Sequence, residues 1–157
     1  MSVFTDKWID EHKDELVEKL QQCVRINSVR DDDSTREGAP FGEGAAKCLE
    51  DTLNTAKEMG FEVKNLDGYC GTVDYGTGEE QLGILAHLDV VPEGEGWTYP
   101  PYAAEIHDGR LYGRGTMDDK GPAFAALFGL AAGKASGAET KRRSSAPPSK
   151  QLIQIFK

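Results

Sequence analysis

Cysteine is scarce in this 157-residue sequence: Cys23, Cys48 and Cys70 are the only three. Their number is odd, their spacing is wide and no Cys-x-x-Cys pair occurs, which argues against a disulfide framework or a zinc knuckle. They read as buried or half-buried thiols of a cytoplasmic protein. Long apolar runs are also missing. No stretch approaches the ~18 apolar residues that span a bilayer, and Met1-Ser2-Val3-Phe4-Thr5-Asp6-Lys7 has no apolar signal core. The expectation is a protein with no membrane partner. Positive charge is in deficit: 18 Lys and Arg stand against 27 Asp and Glu, for a net charge of −9. The one basic cluster, Lys141-Arg142-Arg143, is not interleaved with aromatics, so no nucleic-acid partner is expected.

Apolar residues make up 38% and charged residues 29%, a balance that suits one globular domain burying roughly two thirds of its surface. Residues 6–24 predict an amphipathic helix. Ile9, Leu16, Leu20 and Cys23/Val24 recur at helical spacing, with Thr5 as N-cap and His12 as a helix-face histidine without a ligand role. Residues 27–34 read as a solvated loop, because nothing beside Asp31-Asp32-Asp33 fixes a coordination geometry. A second helix is predicted from Phe41 to Gly60, its apolar seam being Ala45, Leu49, Leu53 and Ala56.

Residues 61–66 alternate as a half-exposed strand does, and residues 69–75 form another. Gly76-Thr77-Gly78-Glu79-Glu80 then reads as a hairpin turn into residues 82–86. That last run is apolar on both sides, so a central strand is expected, delivering His87 at its C-terminal end. A short hairpin is predicted around Asp108-Gly109, with His107 a surface histidine. A third helix starts at Gly121, with Pro122 in the tolerant first turn, and runs through Ala132. It is apolar on most sides and should pack deep against the sheet.

Residues 85–122 carry the chemistry. In extended chain, residues i and i+2 project to one side, so Asp89 lies beside His87. Asp89 can then hold one ring nitrogen while the other ligates a metal. Gly113-Arg114-Gly115-Thr116-Met117-Asp118-Asp119-Lys120-Gly121 sets a carboxylate pair in a rigid connection before a helix start, where Asp118 can bridge two cations. Each half alone fits a plainer reading, Asp118 as an N-cap and His-x-Asp as a structural pair. The pair also fits a one-iron oxygenase using His87, Asp89 and His107, in which the Asp-Asp-Lys motif has no role. Both halves lie at strand-to-loop transitions, and together they point to a metal site.

His87-Leu88-Asp89-Val90-Val91-Pro92 with Gly94-x-Gly96-Trp97, followed by Gly113-Arg114-Gly115-x-x-Asp118-Asp119-Lys120-Gly121, resembles the zinc-dependent dipeptidase family. That family includes the Xaa-His (carnosinase-like) dipeptidases, the carboxypeptidase G type and the aminoacylases. The likeness covers residues 8–133 and is most similar to the bacterial dipeptidase branch. It implies a hydrolase with a three-layer α/β/α aminopeptidase-like catalytic domain. It also implies two zinc ions, with manganese or cobalt in some members, and a dipeptide or short-peptide substrate. By the same resemblance His87 ligates one metal, Asp89 orients that histidine as a catalytic group, Asp118 bridges both metals, and the bond after Asp118 is a non-proline cis peptide.

The sequence departs from the family after Gly133. The Gly-Thr-x-Glu-Glu strand that supplies the family's general base and a further ligand is absent, as are its later Asp and His ligands and its lid. Glu79-Glu80 precedes the first motif and does not inherit the role. Residues 1–133 are therefore read as the N-terminal part of a metallopeptidase catalytic domain, incomplete at its C-terminal side. Residues 134–157 are read as an atypical tail, out of frame or disordered. Ser144-Ser145-Ala146-Pro147-Pro148-Ser149 is linker-like, and residues 151–156 are an apolar end without a partner. The expectation is a truncated, inactive fragment of a binuclear zinc dipeptidase, prone to self-association or aggregation through exposed apolar surface. The competing reading is a non-catalytic product that binds metal or pairs with another chain.

Overall fold

The computed structural model describes residues 3–77, 81–137 and 150–156. Helix α1 spans Val3–Arg25, so Thr5 lies inside the first turns rather than at a cap. Leu16 packs against the core and Leu20, Cys23 and Val24 are buried in it, as the expected stripe has them, but at its N-terminal end Trp8 packs there rather than Ile9. His12 lies one turn on from Trp8. Its ring stacks on Trp8 with centroids 3.9 Å apart, and its Nδ1 lies 2.8 Å from the Trp8 carbonyl.

The acidic loop turns once as a short 3-10 helix, Asp32–Ser34, with the Asp31 carboxylate accepting from the Asp33 N–H and the Ser34 hydroxyl. Helix α2, Glu43–Glu58, buries the predicted seam of Ala45, Leu49, Leu53 and Ala56, with Cys48 added. Gly60, at φ 77°, takes the left-handed position past its end. Helix α3, Lys120–Ala135, buries Phe124, Leu127, Phe128 and Leu130. Being apolar nearly all round, it lies between α1 and the sheet. Phe124, Phe128, Leu49 and Leu127 are almost wholly enclosed. Each contributes about 1.5–3 kcal/mol relative to leaving it in water.

The main sheet contains β1 (Glu62–Leu66), β2 (Cys70–Tyr75), β3 (Gln81–His87) and a last strand, Lys150–Phe156. Between them in sequence, β4 (Glu105–His107) and β5 (Arg110–Tyr112) make the expected small hairpin. The last strand is therefore β6, and the order in the main sheet is β1-β2-β6-β3. The α/β class read from the sequence is the class observed.

Three expectations need correction. Residues 151–156 do have partners: β6 runs antiparallel to β2 and parallel to β3, a β-prone run filling the gap between them. Consequently β2 and β3 do not form a hairpin, because β6 separates them; residues 78–80 of the expected turn lie outside the described residues. Nor is β3 central. It is the last strand of the sheet, which leaves Leu82 59% and Leu85 66% exposed. The linker-like residues 144–149 also lie outside the described residues.

The registers put Val73, Ile84 and Ala86 on one face of the sheet. A Cβ on Gly71, which shares that face, would strike Leu49 and Leu53 of α2. Val73 and Ala86 join the core with Phe124 and Leu127 of α3. Helices α2 and α3 thus gather on this face, and α1 packs on them. Neither of them covers the opposite face, where Leu66, Leu85 and His87 lie. Among the described residues no helix is long and apolar enough to cross a membrane.

Candidate metal centre

The end of β3 alternates as extended chain must. Ala86, Leu88 and Val90 are buried, while His87 and Asp89 project outward between them. Two bonds tie this segment to the loop after α1. The Ser28 hydroxyl donates to the Leu88 carbonyl at 2.6 Å, and the Val90 N–H donates to the Ser28 carbonyl at 3.3 Å. The outward pair is therefore carried on fixed backbone.

His87 stands between two carboxylates. Its Nδ1 lies 3.2 Å from Asp89 Oδ1 and 3.1 Å from the Asp89 carbonyl oxygen. Its Nε2 lies 3.1 Å from Asp118 Oδ1. Burial works to lower the His87 pKa. The hydrogen bonds to the Asp89 carbonyl and the Asp118 carboxylate, helped by the charges of Asp89 and Asp119, outweigh it and hold the imidazole above its ordinary value.

The Asp118 side chain is 89% exposed, so its second oxygen is open to a ligand. The Asp118–Asp119 bond is cis, with neither residue a proline. Asp119 turns back and accepts from the His87 N–H at 3.2 Å through Oδ2. It occupies the N-cap position of α3 but makes no side-chain cap bond there. Lys120 has no exposed surface, and its ammonium donates to the Cys23 and Ile26 carbonyls at 3.0 and 2.8 Å. Gly115 permits the tight approach beneath this loop: its φ is 89°, and a Cβ there would lie 2.9 Å from Val90.

The loop after Asp89 is also braced. The Trp97 indole N–H donates to the Glu93 carbonyl at 2.8 Å, and Arg114 donates to the same oxygen at 3.0 Å while stacking over the Trp97 ring. The Tyr102 hydroxyl donates to the Glu93 carboxylate at 2.9 Å. Burial, then that bond, push the phenol up to about 12. A bond from its own backbone N–H, then the Tyr102 hydroxyl, hold the Glu93 carboxyl below its usual range.

The structure thus brings His87, Asp89 and Asp118 into one line. It does not bring His107 to them: its Nε2 lies 2.7 Å from Glu105 and its ring stacks on Tyr99 at 3.8 Å, so the two-histidine iron arrangement is not formed. Asp89 stands on the far side of the ring, leaving His87 Nε2 and Asp118 as a pair. Among the described residues no group of three or more His, Cys, Asp or Glu side chains converges as a metal cage. An imidazole and an open carboxylate suit zinc, cobalt or manganese, but they make only part of a site, since catalytic zinc normally has three protein ligands. Sequence reasoning left Asp119 and Lys120 without roles. A lone cation opening an apolar helix was the available signal for Lys120; the reach of Asp119 to the His87 N–H leaves none.

The model of Peptidase family M20/M25/M40 matches residues 83–145, which contain both motifs. The chain is 47% identical over 118 residues to the putative dipeptidase YtjP of Bacillus subtilis, covering 75% of this chain and 26% of that protein. It is 40% identical over 132 residues to the Beta-Ala-Xaa dipeptidase of Lactobacillus delbrueckii subsp. lactis, covering 83% and 28%. Human carnosine dipeptidase 1 superposes with a TM-score of 0.76 at 25% identity, over 98% of this chain and 34% of that one. An M20 family metallo-carboxypeptidase from Sulfolobus solfataricus shares the fold, with a TM-score of 0.68 at 19% identity over 90% and 30%. The chain is similar to M20 dipeptidases and corresponds to their N-terminal part. It spans about a quarter of the length of the curated relatives it matches.

Proposed function

We propose that residues 1–133 form the N-terminal part of the catalytic domain of a two-zinc dipeptidase, with cobalt or manganese as substitutes, and that residues 134–157 are an atypical tail within which the reading frame changes. One arrangement carries this reading: His87 held by Asp89 on one side and facing Asp118 on the other, at a strand end beside a helix start. In the complete protein His87 Nε2, facing Asp118, would be one ligand of a metal held there. Asp89 keeps the proton on Nδ1 and so keeps the Nε2 lone pair available. Asp118, with its carboxylate largely open, would be the ligand shared at the same site. Asp119 and Lys120 hold the strand end and the loop in place. The chemistry that metal would supply there is Lewis acidity toward a peptide carbonyl and a water. The names of the relatives support a dipeptide or short-peptide substrate. Three free thiols support a cytoplasmic setting.

On this reading the chain by itself should bind metal weakly and not turn over, because the matched motifs supply two ligands, His87 and Asp118, and no general base. Titration with Co2+, followed by visible absorption, checks this beside His87→Ala and a dipeptide hydrolysis assay. The expected result is weak binding that His87→Ala abolishes, with no hydrolysis. Hydrolysis indifferent to chelator, or binding indifferent to His87→Ala, overturns the reading. Resequencing the DNA from the Asp118 codon past the Lys157 codon tests the tail. Absence of a Gly-Thr-x-Glu-Glu strand from every frame sinks the frame change.

A second reading, a non-catalytic chain that pairs with another, is favoured by the exposed Leu82, Ile84 and Leu85 of β3. Sedimentation as a monomer at all concentrations counts against it.

A further inference from the structure

Two of the three cysteines, 25 positions apart in sequence, meet in the core. The Cys23 and Cys48 sulfurs lie 3.4 Å apart, one on the last turns of α1 and the other on α2, and neither residue has exposed surface. That separation is a hydrogen-bonded thiol pair. The surroundings favour a shared proton. The hydrogen bond from Cys23, aided by the nearby Lys120 ammonium, lowers the Cys48 pKa, while the same bond and burial raise that of Cys23. The cation is fixed at the pair, since Lys120 donates to the Cys23 carbonyl itself. Cys70, on β2, is half-buried.

We propose that Cys23 and Cys48 are a peroxide-sensitive dithiol that closes to a disulfide joining α1 to α2. This inference does not rest on the dipeptidase reading. The oxidant is hydrogen peroxide, small enough to reach the pair through local opening of the helix layer. The Cys48 thiolate attacks one peroxide oxygen, the O–O bond breaks, and hydroxide leaves to take up the proton Cys48 had released. The Cys23 sulfur then attacks the Cys48 sulfenic sulfur, the S–O bond breaks, and the leaving oxygen departs as water with the Cys23 proton. Two thiols have lost two electrons and two protons, and peroxide has become two waters. Neither sulfur has far to move, which favours closure over further oxidation.

The test is mild peroxide on the folded chain, then a thiol count after denaturation, an intact mass and a digest. The expected count falls from three to one, the mass falls by about 2 Da, and the digest yields one peptide pair linking Cys23 to Cys48, reversed by a dithiol reductant. Cys70→Ser, made outside the pair, should oxidise in the same way, and Cys48→Ser should yield no internal link. Survival of all three thiols overturns the proposal. So does oxidation confined to Cys70, sulfinic acid on Cys48 without a link, or a link only between chains. The wild-type digest decides even if Cys48→Ser fails to fold.

Discussion

The Lys120 ammonium caps α1 from inside the protein, donating to the Cys23 carbonyl at 3.0 Å and the Ile26 carbonyl at 2.8 Å. Carbonyls of a last helical turn lack intrahelical donors, and a cation suits the negative end of the helix. This contact also fixes the start of α3 beside Asp118. Lys120→Met keeps the stem and removes the donors: the Ile26 carbonyl loses the ammonium, while the Cys23 carbonyl keeps only the Ile26 N–H at 3.2 Å. The expected loss is about 1–3 kcal/mol, read from the urea midpoint, together with weaker Co2+ binding. An unchanged midpoint means that water replaces the ammonium without cost.

Two glycines of α3 should answer alanine with opposite signs. A Cβ on Gly121 would lie 2.1 Å from the Thr116 carbonyl oxygen, a backbone atom, whereas one on Gly129 would meet nothing within 4 Å. Gly121→Ala should cost roughly 1–3 kcal/mol or more by forcing the loop apart. Gly129→Ala should add up to ~1 kcal/mol from helix propensity. Thermal melts of the two variants check the pair. Equal shifts of the same sign refute the steric argument.

Asp89→Asn separates orientation from charge. The side chain sits on the Nδ1 side of His87 and is 44% exposed, so folding should barely notice the change. Metal affinity should fall roughly 10–100-fold, the usual effect of removing a carboxylate behind a ligating histidine. Co2+ titration reads it; an unchanged affinity would mean that the Asp89 carbonyl alone holds the ring.

The Tyr102–Glu93 bond gives an alkaline signature. Tyr102 is raised from an ordinary 10.0 to about 12. Its contribution to stability is whole below the unfolded value and is lost as pH climbs through about 12. Glu93 is depressed, so its contribution is present above its unfolded value and is lost as pH falls through the folded one. Ultraviolet titration of tyrosinate should show one late-ionising tyrosine that moves back toward 10 in Glu93→Gln. No change in that variant would leave burial as the sole cause.

Much of this was legible because the information is local. Helical spacing gave α1, α2 and α3, and the i, i+2 rule placed Asp89 beside His87. Asp108-Gly109 gave the β4–β5 hairpin. What was not legible depends on pieces distant in sequence. That β6 enters between β2 and β3 cannot be read from the turn after Tyr75. The meeting of Cys23 with Cys48 needs the crossing of two helices. Lys120 reads as a surface cation until the end of α1 is laid over it. The apolar pattern of β3 does call for cover on both faces, but where that cover lies is not written in the strand.

The position of His87 at the end of β3 ties chemistry to assembly. β3 borders the described sheet, and Gln81–His87 has no lysine, proline or other charge along its length except the histidine at its tip. Such a border is a template that a further strand can zip onto. A partner strand seated on that border, one from a second copy included, would lie beside the strand that carries His87 at its tip.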